Sequence, residues 1–272
     1  MRKPRAGATL AGMDALAALR LQVEWGVDEA LDDRPQDRRT MGAPLRRTLE
    51  PVIRPAALPR PPPPQVASAQ EVAAAAASLA ALRDALASFD GCSLRRTATN
   101  LVFAEGDPES RLVLVADVPG PDEDRAGRPF AGATGETLDR ILASIGLDRA
   151  QALLTSLVPW RPPGDRPPNE AELQACLPFL HRQLALIQPA FAVLFGRMAL
   201  RALAGGDARR SRGKWLELAI PGLGTPLRAL AMPTVAHIRT TPAARRDAWA
   251  DLVQLRRALD GLATLREANR GH

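Results

Sequence analysis

The chain has 272 residues, room for one sizeable domain with extensions, and a net charge of +6 carried almost wholly by arginine, since Lys3 and Lys214 are its only lysines. Two cysteines, Cys92 and Cys176, give no disulfide framework and suit a reducing compartment. No apolar run is long enough to span a membrane, so the composition reads as a soluble cytoplasmic protein.

Residues 13–31 predict an amphipathic helix, with Leu16, Leu19, Val23, Val27 and Ala30 roughly on one face. Such a helix either packs on its own domain or docks elsewhere. Residues 32–68 are charged and then Pro-rich, ending in Pro61 to Pro64, and read as a disordered or extended linker. Residues 69–88 are Ala-rich, with Leu79, Leu82 and Leu86, and predict a helix leading into the main domain, which runs to 266.

Within that domain, Val102-Phe103 and Leu112 to Val115 predict strands. A loop follows at Pro119-Gly120, with acids at Asp122, Glu123 and Asp124, and residues 135–145 predict a helix. Residues 152–158 predict a second buried strand, ended by Pro159 and a Pro-rich loop from Trp160 to Pro168. Asn169 and Glu172 form a capping box for a helix carrying Leu173, Leu177, Leu180 and Leu184. Residues 190–195 predict a third strand, stopped by Gly196 and followed by a helix over 197–204 and a basic loop over 205–214. Leu216 to Ile220 and Leu227 to Met232 predict further strands. A last helix covers 242–266, with Trp249, Leu252, Leu255, Leu259 and Leu262 expected to face in. Alternating apolar strands and helices predict a three-layer α/β/α sandwich around a mostly parallel sheet.

Several side chains could carry chemistry. Asp117, at the end of the first long strand, either orients a water as a general base or caps its loop. Phe130 either stacks a base or is an ordinary core ring. Arg161 and Arg166, and the cluster Arg209, Arg210, Arg212 and Lys214, either meet phosphates or form solvated basic faces. Among the three histidines only His237, just after a predicted strand end, invites a functional reading. No metal-ligand spacing is present.

Three stretches together are more specific: ADVPGPDEDRAGRPFAGATGETLDRIL, LLTSLVPWRPPGDRPPNEAELQACLPFL and PAFAVLFGRMALRAL. In order and spacing, over roughly residues 89–260, they resemble the uracil-DNA glycosylase superfamily, most closely its bacterial and archaeal iron–sulfur branch. That resemblance implies base excision from a nucleotide flipped out of DNA, single-stranded or uracil-containing, by a monomer. It assigns Asp117 to water, Gly120, Phe130, Ser156 and Thr234 to base binding, and Arg161, Arg166, Arg212 and Lys214 to DNA. Ser156 stands where the family has a base-reading Asn, and Thr234 where it has a His, with His237 a possible substitute three residues on. Of four cluster cysteines only Cys92 and Cys176 remain, with Phe89 and Trp160 at the other two positions, so no iron–sulfur cluster is expected. The resemblance therefore implies a glycosylase of weak or altered activity, or an inactive member that binds DNA or a partner.

Overall fold

Six strands pair into one sheet among the residues that the computed structural model describes, 68–206 and 208–270. They are β1 (Glu105–Gly106), β2 (Leu112–Ala116), β3 (Leu153–Ser156), β4 (Phe191–Phe195), β5 (Trp215–Leu218) and β6 (Leu227–Met232), in the order β1-β3-β2-β4-β6-β5. The inner four run parallel, and the edges β1 and β5 are antiparallel to their neighbours. Strands β2 and β4 are unbroken apolar runs because both faces of the sheet are covered there, and all five residues of β4 are buried, whereas β3 ends in Thr155-Ser156 and β6 carries the exposed Arg228.

Helices cover the two faces. On one side lie α1 (Ala69–Ala75), α2 (Leu79–Ser88), α5 (Glu170–Ile187) and α6 (Arg197–Ala204). There Val113, Val115, Ala192 and Leu194 meet Leu82, Leu86, Leu180, Leu184 and Leu200. On the other side lie α4 (Gly132–Ser144), α8 (Val235–Thr240) and α9 (Pro242–Arg270). There Leu112, Leu114, Phe191 and Val193 meet Leu138, Leu142, Ile238, Leu252 and Leu255. Successive residues of one strand thus feed opposite cores, as a two-residue period requires. Two short helices complete the set, α3 (Pro121–Ala126) and α7 (Ala208–Ser211). The three-layer α/β/α arrangement is the one the sequence predicts.

Local details differ. The helix expected over 69–88 breaks in two at Ala76, which is extended (ψ 119°), and Ser78 caps the second piece by accepting from the Ala81 N–H at 3.1 Å. Val102-Phe103 form no strand; the Val102 N–H donates to the Pro159 carbonyl, and the edge strand lies just beyond at Glu105–Gly106. Helix α4 starts three residues earlier than expected, at Gly132. The strand predicted over 216–220 is β5, which ends at Leu218. Trp249 does not face in: it is 50% exposed, while Ala248, Leu252 and Leu255 of the same helix are buried. The predicted helix at 13–31 and the linker before Ser68 lie outside the described residues.

The capping box at the start of α5 is present and carries more than a cap. The Glu172 N–H donates to Asn169 at 2.9 Å, and the Asn169 N–H returns a bond to Glu172 at 2.8 Å. The same carboxylate takes both Arg166 guanidinium nitrogens, at 2.7 and 2.8 Å, and the Ser93 hydroxyl at 2.9 Å. Arg166 above all holds the Glu172 carboxyl far below its usual range, at about 2, although the side chain is almost fully buried.

Candidate functional site at the carboxyl ends of the parallel strands

Register decides where the site forms. Ala116 pairs with both Ser156 and Phe195, and Phe195 pairs with Met232, so the inner strands end flush. Their following loops therefore leave from one edge of the sheet, the usual ligand end of such folds. Asp117, Ser156 and Thr234 lie on or just past these ends. Because β5 is antiparallel, with Trp215 opposite Leu230, Lys214 enters at this edge too, beyond β6.

Asp117 turns toward the strand on its far side. Its carboxylate accepts the Ala199 N–H at 2.7 Å, in the first turn of α6. Burial pushes this carboxyl above its usual range, opposed by the backbone N–H groups of Ala199, Met198 and Arg197. Gly196 makes the approach possible. Its φ is +117°, and a Cβ there would lie 2.0 Å from the Asp117 carboxylate. Asp117 is thus a carboxyl group seated on a helix N-terminus, and among the described residues no ion-pair partner reaches it.

Phe130 is buried, 2% exposed, and meets Phe195 edge-on with ring centroids 5.7 Å apart. Its backbone is left-handed (φ +50°), which is strained for a ring-bearing residue. Arg149 holds that conformation: its Nη2 donates to the Phe130 carbonyl at 2.6 Å, and the guanidinium also pairs with Asp139 and with Glu105. Gly135 is required beside them, since a Cβ there would lie 2.1 Å from the Phe130 carbonyl oxygen. The signal for Arg149 in the sequence was nil, because its partners come from β1, α4 and the loop before α4.

The acidic loop after β2 is largely structural. The Gly120 N–H donates to Glu123 at 2.8 Å, which caps α3. Burial raises the Glu123 carboxyl. The buried Asp124 accepts the backbone N–H groups of Thr99 and Asn100, at 2.9 and 3.3 Å, tying the preceding segment to the loop.

Across the site the hydroxyls turn inward. Ser156 Oγ donates to the Val158 carbonyl at 2.8 Å. Thr234 caps α8, its Oγ1 accepting the His237 N–H at 3.3 Å. His237 is exposed, on that helix rather than in a loop, and its Nδ1 lies 3.3 Å from Thr241 Oγ1. Of the expected DNA contacts, Arg161 pairs with Asp165, Arg166 with Glu172 and Arg212 with Asp247. Lys214 has no ion-pair partner among the described residues.

At the four positions that the resemblance aligns with cluster cysteines, two thiols meet two aromatic rings. Cys92 and Cys176 face each other with sulfurs 3.7 Å apart, both buried. The shared hydrogen bond lowers the Cys92 thiol to about 7, and the same bond with burial pushes Cys176 up. Phe89 packs on Phe179 with centroids 5.0 Å apart, and Trp160 is 3% exposed in the same core. Two thiols and two aromatic rings do not fit a group that needs four thiolates. No cluster of three or more metal-ligating side chains occurs among the described residues.

Comparison with known proteins agrees with this geometry. The uracil DNA glycosylase superfamily model matches residues 103–253, from just before β1 into α9. A type-4 uracil-DNA glycosylase of Pyrobaculum aerophilum is 33% identical over 180 residues, covering 64% of this chain and 91% of that protein. Proteins of the same description from Sulfurisphaera tokodaii and Archaeoglobus fulgidus are 40% and 43% identical, over 55% and 54% of their lengths. With the matched segment holding the whole sheet and every loop at its flush edge, the chain belongs to the uracil-DNA glycosylase superfamily.

Proposed function

We propose that this chain is a DNA glycosylase of base-excision repair, hydrolysing the N-glycosidic bond of uracil or another damaged base with weak or altered activity. The flush strand ends are the observation that carries this reading, because they bring Asp117, Ser156 and Thr234 to one edge of the sheet. In the reaction a water adds to the sugar carbon, the bond to the base breaks, and the base leaves with a proton. Asp117 orients that water, and its raised carboxyl suits a group that takes a proton. The resemblance gives Phe130 to the flipped base, but its ring is 2% exposed against Phe195 and must turn out of that core to stack, while Gly120, Ser156 and Thr234 line the base edge. Ser156 cannot present the paired donor and acceptor of an amide, and Thr234 cannot become a cation beside the leaving base. Both deficits favour a slow enzyme. Lys214, Arg161, Arg166 and Arg212 meet the phosphates, and the chain works without an iron–sulfur cluster.

A second reading rests on a specific observation. The Asp117 carboxylate, the Ser156 hydroxyl and the Thr234 hydroxyl already have partners inside the fold. That favours a scaffold that binds DNA without catalysis. Incubating purified protein with single- and double-stranded uracil DNA, followed by alkali, separates the two. Strand breaks that disappear in Asp117→Asn support the enzyme. Salt-dependent DNA binding without breaks supports the scaffold. Absence of both sinks each reading. A colourless, iron-free preparation is expected, and a brown one overturns the cluster-free proposal.

A further inference from the structure

Helices α4, α8 and α9 leave between them a groove of about 980 Å³. Its floor is aliphatic: Ile141, Ile238, Ala248 and Leu252. Trp249, half exposed, stands at its edge and is the most exposed large apolar side chain among the described residues. Behind the indole a second hollow continues past Val253 to Arg256 and Arg257. Arg140, Arg239, Arg245 and Arg246 rim the main groove, and no carboxylate lines either hollow. Arg140 reaches Glu136 only at 3.8 Å, and Arg239, Arg245 and Arg246 have no ion-pair partner among the described residues. The fold gains nothing from leaving an indole in water among like charges, and such apolar patches ringed by charge mark interaction sites.

We propose that this groove is the docking site of an acidic amphipathic helix supplied by a partner protein. The four lining residues of α4, Thr137 to Ser144, span two turns, about 10 Å, which suits a helix laid lengthwise. An aliphatic floor takes apolar side chains at helical spacing, and the arginines on both sides take the carboxylates of its flanks. Trp and Arg are also the residues that dominate such interfaces energetically. A nucleic-acid strand is served less well. A single strand would find only one ring to stack on, Trp249, and would leave the aliphatic floor of Ile141, Ile238, Ala248 and Leu252 uncovered. A second copy presenting the same face would bring arginines against arginines. The inference does not depend on whether the strand-end site acts on DNA.

Fluorescence anisotropy on the full chain tests it with three labelled probes. One is a peptide of about 18 residues with leucines at helical spacing and acids elsewhere, long enough to fill the groove. The others are a scrambled peptide of the same composition and an oligothymidylate. The amphipathic peptide is expected to bind at least about tenfold more tightly than the scrambled one. Trp249→Ala is expected to weaken it about tenfold, and the double change Arg245→Glu with Arg246→Glu both to weaken it and to flatten its salt dependence. Unchanged circular dichroism and thermal unfolding establish that the variants are folded, and Trp249→Phe serves as a milder second variant. Equal binding of both peptides, no peptide binding, or indifference to both variants overturns the proposal. Oligothymidylate binding that is lost in Trp249→Ala overturns it in favour of nucleic acid.

Discussion

Two tryptophans show how differently the two faces of the sheet are finished. Trp160 is 3% exposed, inside the core shared with Phe89, Phe179 and the cysteine pair. Trp249 is 50% exposed, at the edge of a groove on the opposite layer. The first face is closed by large apolar side chains, with Phe89 and Trp160 at two positions that the resemblance aligns with cysteines. The second has been left open, although the same residue type was available to close it. Burial of an indole is therefore not a property of the residue here but of what the neighbouring helices leave room for.

The sharpest way to break this contrast is to truncate the buried ring. Trp160→Ala is expected to cost about 3–5 kcal/mol, read from urea unfolding, because the core cannot collapse around so large a loss. A cost below about 1 kcal/mol would mean that the face is not closed by packing.

The next test uses one buried carboxylate from each layer. Glu172 is held by Arg166, so Arg166→Ala is expected to cost about 2 kcal/mol, reduced from the fully buried case because the arginine is partly exposed. Folding also lowers the Glu172 carboxyl from 4.5 to about 2. Its stabilisation is therefore complete above pH 4.5 and drains away as pH falls toward 2. In Arg166→Ala that acid-side slope should flatten.

Asp251 in α9 behaves in the opposite sense. Burial, only partly offset by Arg212, raises its carboxyl from 3.8 to about 6. The folded chain holds this proton to a higher pH than the unfolded chain does. Stability should fall as pH rises from 3.8 to 6 and stay lower above that window. Asp251→Asn is then expected to stabilise the protein at neutral pH by roughly 2 kcal/mol, with little effect near pH 3. A destabilised variant at neutral pH would show that the charge is held by a partner rather than merely buried.

The smallest effect belongs to the exposed indole. Trp249→Ala should change unfolding stability by no more than about 0.5 kcal/mol. A large loss would show that the groove is part of the core after all.

Much of the fold was legible because β2 and β4 are unbroken apolar runs stopped by Pro119 and Gly196, and because Asn169 and Glu172 announce a helix start unambiguously. The eight-residue helix over 197–204 was legible, but shorter ones were not. Helix α3 begins with Pro121 and α8 with a Thr234 cap, but neither is long enough to show a period. Trp249 was misplaced for a related reason. It lies about 100° round the helix from the buried Ala248, and a loose apolar stripe does not say where its edge falls. For the site, positions could be read but directions could not. The sequence puts Asp117 at a strand end, yet the carboxylate's orientation depends on Gly196 and α6, some eighty residues away. Phe130 likewise takes its backbone angle from Arg149, whose partners converge only in three dimensions.

The flush ends of the inner strands also limit how this protein can change in length. One residue inserted into β2, β3, β4 or β6 would advance its loop by about 3.3 Å and turn every following side chain to the opposite layer. Such an insertion would move Asp117, Ser156, Gly196 or Thr234 out of line with the other three. Length variation should therefore be confined to segments beyond the strand ends, such as the exposed turn Pro163–Asp165 between the buried Trp160 and the Arg166–Glu172 pair, and the basic turn before β5.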